Sequence, residues 1–118
     1  MKNIKATMVS TLKADTTLKG LVSDRVIFMS LPDEPEFPCI TYYEQNNSPA
    51  LVGDGRELTT ESVMVIDVWS KGSTTAIAQA VDNIMAGLHF VREFAGDLYE
   101  TDTGVYHKSM RYRNKSRR

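Results

Sequence analysis

Ser62-Val63-Met64-Val65-Ile66-Asp67-Val68-Trp69-Ser70-Lys71-Gly72, followed by the segment from Ser73 to Leu88, decides the architecture of this chain. The first half alternates like a strand, with Met64, Ile66 and Val68 on one face and Val63, Val65, Asp67 and Trp69 on the other. Both faces are largely apolar, so both call for cover. Gly72 breaks the strand. From Ser73, the expected cap, the period changes to that of a helix, with Ile77, Ala80, Val81, Ile84, Met85 and Leu88 on one side. One helix covers one sheet face. The other face is then left to the N-terminal helix or to another subunit.

Working outward, Ile4, Met8, Val9 and Leu12 share a helical face, and Asp15 and Thr16 read as a stop followed by the next cap. Leu18, Leu21 and Val22 suit a short second helix, and Arg25 to Met29 a short strand. Leu-Pro-Asp-Glu-Pro-Glu-Phe-Pro, residues 31–38, can be neither helix nor inner strand and reads as a stiff exposed loop. Cys39 to Glu44 alternates again. Residues 45–60 are polar and carry two turn-forming stretches, so they read as a long connection, with Gly53-Asp54-Gly55 as a hairpin tip. Phe90 to Glu100 and Val105 to Arg113 form a closing hairpin through Thr101-Asp102-Thr103-Gly104. The expected fold is α+β: a largely antiparallel sheet of about five strands packed against an amphipathic helix, with an N-terminal helical segment. Residues 1–118 fit one domain, with 114–118 as a flexible basic tail.

Composition narrows the function classes. Hydrophobic residues at 42% and charged residues at 25% are ordinary for a globular chain, and no apolar run reaches the ~20 residues a membrane span needs. The N-terminus lacks the apolar core of a secretory signal. Cys39 is the only cysteine, so no internal disulfide can form. It reads as a small half-buried residue entering a strand. The net charge of −1 is uneven: residues 108–118 hold six Lys or Arg and no acid, which leaves −7 on the remainder. Arg111, Arg113, Lys115, Arg117 and Arg118 are therefore candidates to face a polyanion, although no recognised nucleic-acid motif accompanies them.

Catalytic chemistry finds no foothold. His89 and His107 are the only imidazoles, and no His or Cys pair has zinc-ligand spacing. His107 and Ser109 share one strand face ~7 Å apart without a nucleophile turn. Gly53-Asp54-Gly55 lacks the Lys-Ser/Thr of a phosphate loop. Asp67 beside Val65, Val68 and Trp69 is better explained by pairing with Arg111 or Arg113 than as a lone acid. Trp69 reads as a core or interface aromatic. No enzyme, cofactor or metal is expected.

Four stretches together resemble the tail-completion family of long-tailed bacteriophages, the tail terminators and tail-to-head joining proteins. They are Leu12-Lys13-Ala14-Asp15 through Leu21 to Val26; Phe37-Pro38-Cys39-Ile40-Thr41-Tyr42; Val65 to Lys71 with the helix from Ala76 to Leu88; and Gly104-Val105-Tyr106 through Tyr112. The resemblance spans about Ile4 to Arg113 and leaves out the basic residues after it. It implies a structural protein that caps the tail tube as a ring, usually of six copies, and joins it to the head. The implied partners are further copies of itself, the tail-tube protein and the head connector or neck. DNA transits the lumen without specific recognition. The implied setting is the virion, after synthesis in the bacterial host cytoplasm. Association confined to the tail end would leave the purified chain monomeric. Asp54, Arg56, Glu57, Val63, Val65, Asp67 and Trp69 are the expected contacts with neighbours. The competing readings are a head-completion or neck ring protein, and an accessory module holding nucleic acid through the basic arm.

Overall fold

The computed structural model describes residues 1–117. Among these residues the order is α1 (Lys5–Ala14), α2 (Thr16–Val22), β1 (Val26–Phe28), β2 (Cys39–Gly53), β3 (Arg56–Ser70), α3 (Thr75–Gly87), β4 (Val91–Glu100) and β5 (Val105–Arg117). The strands form one sheet in the order β1-β2-β3-β5-β4. Only β1 and β2 run parallel; the other three pairings are antiparallel. The α+β expectation holds.

The helical boundaries follow local chemistry. Asp15 caps α2, its side chain accepting from the Leu18 backbone N–H at 2.8 Å. At α3 the helix opens one residue later than Ser73 predicts. The Ser73 hydroxyl accepts from Thr75 N at 3.2 Å, and Thr74 takes the cap position without a side-chain bond. Met8 and Leu12 of α1, Leu18 and Val22 of α2, and Ile77, Val81 and Met85 of α3 converge on Ile40, Met64, Ile66, Val68, Met110 and Tyr112 of the sheet. The Tyr112 hydroxyl donates to Asp82 at 2.8 Å, tying β5 to α3. Burial, reinforced by that carboxylate, raises the phenol's pKa.

Three sequence expectations need correction. The polar segment 45–60 is not a loop: β2 and β3 are fifteen residues each and form one long hairpin. Its turn is Asp54-Gly55, both with positive φ (52° and 72°), the arrangement that joins two strands with the right twist. The turn-forming residues before it are absorbed as irregularities in β2, between Glu44 and Asn46 and between Pro49 and Leu51. Residues 114–117 are not a frayed tail, because β5 continues along β3 to pair Arg117 with Thr59. Arg118 lies outside the described residues. Cys39 is fully buried rather than half-buried.

The second face of the sheet has no helical layer. α1 and α2 pack with α3 on the side of Met64, Ile66 and Val68, so the N-terminal helix does not cover the opposite side. The hairpin also outruns the helices. From Cys39 to Gly53 it extends roughly 46 Å at ~3.3 Å per residue, most of the 53 Å long axis of the molecule. Beyond Glu44 it projects as an arm, braced by the N-terminus: Lys2 N donates to the Thr60 hydroxyl at 3.0 Å, and the Met1 ammonium lies 2.7 Å from Glu57.

Candidate assembly surface

Strand alternation brings the two groups of candidates onto the same surface. Val63, Val65, Asp67 and Trp69 stand on the helix-free face of β3, opposite Arg113, Arg111, Ser109 and His107 of β5. Lys115 and Arg117 continue that row, opposite Glu61 and Thr59. Asp54, Arg56 and Glu57 sit apart from it, at the arm tip.

Arg111 and Arg113 on this face are paired, though not as expected. Arg113 contacts Glu61, and its Nε donates to Glu93 at 2.6 Å. Arg111 Nε lies 4.0 Å from Glu93. The guanidinium of Arg113 lowers the Glu93 pKa, and Glu93 in turn raises that of Arg113. Asp67 lies instead against His107, with no hydrogen bond formed between the two facing atoms. His107 Nε2 approaches its Oδ1 at 3.1 Å, while Arg111 and Arg113 point to Glu93. Register explains the difference. Asp67 pairs with Ser109, whereas Arg111 and Arg113 lie opposite Val65 and Val63 and nearer β4 carboxylates.

Trp69 is a structural fixture at one end of the face. Its ring stacks on His107 at 3.7 Å and 11°, and its Nε1 donates to the Thr41 hydroxyl at 2.9 Å. Val63 and Val65 are only 4% and 6% exposed without any helix above them. Their register neighbours Arg113, Arg111 and Tyr43 carry long side chains, and such stems shield apolar surface. The face therefore meets solvent as arginines rather than valines.

Sequence reasoning missed the contribution of β4. This edge strand exposes Val91, Phe94 and Leu98 on the helix-free side, and Arg111 lies over the Phe94 ring at 5.6 Å. Glu93 joins them because a bulge between Arg92 and Phe94 turns it toward the arginines. The apolar residues were visible in the sequence, but the bulge that sorts them was not.

No group of three or more His, Cys, Asp or Glu side chains that could hold a metal occurs among the described residues. Residues 6–115 match the family described as Tail completion protein gp17. The chain belongs to that family. It is a structural protein of the phage tail, and the resemblance read from its strand and helix pattern holds. No curated protein matches the chain. Two solved structures share the fold of this family member. A chain in the virion of a native gene transfer agent particle is 17% identical, with a TM-score of 0.73, covering 94% of this chain and 92% of that one. The gp17 protein of bacteriophage SPP1 is 19% identical, with a TM-score of 0.50, covering 92% and 86%.

Proposed function

We propose that this protein is a non-catalytic ring subunit that caps the tail tube and joins it to the head. The observation that carries the reading is the division of the sheet into two unlike faces. One is sealed by three helices. The other carries paired arginines and glutamates beside exposed Phe94 and Leu98 on an edge strand. Such an amphipathic face, polar but dotted with aromatic and aliphatic anchors, suits assembly better than isolation in solvent. Ring closure requires two different patches on each copy. The arm tip and this face supply chemically different surfaces. In the proposed assembly Arg56 and Glu57 belong to contacts through the arm. Val63, Val65, Asp67 and Trp69 support the opposite face from beneath. Its position in the virion is the neck, with six copies around a lumen through which DNA passes.

A second reading draws on β5. Arg111, Arg113, Lys115 and Arg117 alternate along one face ~7 Å apart, which favours contact with a polyanion. The glutamates on Arg111 and Arg113 count against it.

Electron microscopy of particles made without this gene tests the proposal. Filled heads beside unattached tails of uncontrolled length are expected for a terminator. Unattached tails of normal length would retain joining and remove length control. Normal tails beside emptied heads would move the protein to head completion. Normal infectious particles would overturn the structural role.

A further inference from the structure

The two ends of the long axis differ in charge, and each has an apolar feature. At the arm tip Leu51, Val52 and Leu58 are 55%, 59% and 39% exposed. Around them stand Arg56, Lys115 and Arg117, for which no acidic partner within 4 Å occurs among the described residues. Of the carboxylates there, Glu57 is engaged by the Met1 ammonium and Glu61 by Arg113, while Asp54 stands exposed in the turn beside Arg56. The arm is thus apolar at its tip and cationic along its flank.

The opposite end is its counterpart. The proline-rich segment 31–38 folds against the β4–β5 turn and encloses a groove of about 420 Å³. Leu31, Pro35, Phe37 and Val105 wall it, and Asp33 and Glu100 stand at its rim. Glu34 and Asp102 are exposed beside them. Lys71 also lines the groove, with its ammonium 5.8 Å from the centre of the Phe37 ring. The segment's prolines fix its φ angles, so the groove is presented with little ordering cost.

We infer that the arm tip of one copy docks in the acid-rimmed groove of the next, with Leu51 and Val52 entering it and Arg56, Lys115 and Arg117 facing Asp33, Glu34 and Glu100. This deepens the ring reading and rests on it. A chain cannot fill its own groove, because tip and groove lie at opposite ends of a 53 Å axis. The contact is therefore head-to-tail, the class that closes into rings when the rotation allows. Its charged part screens with salt, while its apolar part persists.

Sedimentation of the full chain over a wide concentration range, at low and high salt, tests the contact. The variants are Lys115→Glu with Arg117→Glu, and separately Asp33→Lys with Glu34→Lys. All four positions are exposed, so circular dichroism and thermal midpoints are expected to match the parent. Each double variant alone is expected to associate about tenfold more weakly or worse. An equimolar mixture of the two is expected to recover association, because unlike ends then alternate. Association of the parent that neither variant alters would overturn the contact and leave the ring reading standing. A parent that stays monomeric throughout, with no association in the mixture either, would overturn the contact, and the ring reading then rests on the particles made without this gene. Loss of duplex-DNA retention in the Lys115/Arg117 variant, with self-association intact, would assign the basic end to nucleic acid instead.

Discussion

Cys39 shows how position overrides residue type. A lone thiol invites thoughts of reactivity, yet burial pushes this one up to about 11. Its thiolate is scarce at neutral pH, and the thiolate is the nucleophile. Alkylation of the folded protein at pH 8 is expected to be far slower than in denaturant, as a timed thiol titration would record. The same shift favours the native state below the ordinary thiol value of 9.0, and that contribution is lost as pH rises through about 11. Glu93 works in the opposite direction. Its pKa is lowered by Arg113, so its contribution is present above the ordinary value of 4.5 and is lost as pH falls through the folded value. Urea midpoints of the parent and Glu93→Gln are expected to differ at pH 6 and to converge in acid. A difference independent of pH would assign the effect to packing.

Among the elements, α2 and the long hairpin depend on local devices that the sequence displays openly. α2 has only seven residues, too few to persist alone. It relies on the Asp15 cap and on burying Leu18 and Val22. Asp15→Ala is expected to cost ~1 kcal/mol, measurable by chemical denaturation, with Asp15→Asn retaining most of the stability. The hairpin relies on Asp54-Gly55, where both residues adopt positive φ. Gly55→Ala would force a side chain into that region and is expected to cost ~1 kcal/mol or more. Tests of these substitutions at low concentration keep folding separate from assembly.

The whole molecule is stabilised unevenly along its length. Helices back the sheet around Ile66, Met110 and Tyr112, whereas the arm beyond Glu44 has the β2–β3 ladder, the last residues of β5 as far as Thr59 and the N-terminal brace, and no helix. Opening free energy follows local burial. Backbone amides of Met64 to Val68 are expected to exchange slowly by hydrogen-exchange mass spectrometry, and those of Ala50 to Leu58 quickly. In an assembled ring the arm amides are expected to slow by an amount the core amides do not share. Uniform protection in the free protein would contradict the arm's independence.

Periodicity carried the elements because it reflects burial directly: Met64, Ile66 and Val68 announce one face of β3, and Ile77, Val81 and Met85 announce the helix that meets it. The left-handed Gly104 and the Asp54-Gly55 turn were equally readable, since their backbone angles restrict residue choice. Residues 45–60 were misread because turn-forming side chains also occur at bulges, and only pairing with β3 distinguishes a bulge from a loop. The partners of Asp67 and Arg113 were hidden for a related reason. A change of one residue in register moves a side chain to the other face, so contacts across β3, β5 and β4 depend on an alignment that no single strand encodes. Local sequence thus determined which segments are helix or strand and which of their faces are apolar. Tertiary structure alone decided that all three helices share one side, leaving the other face and the arm uncovered, because that choice depends on how separate segments pack.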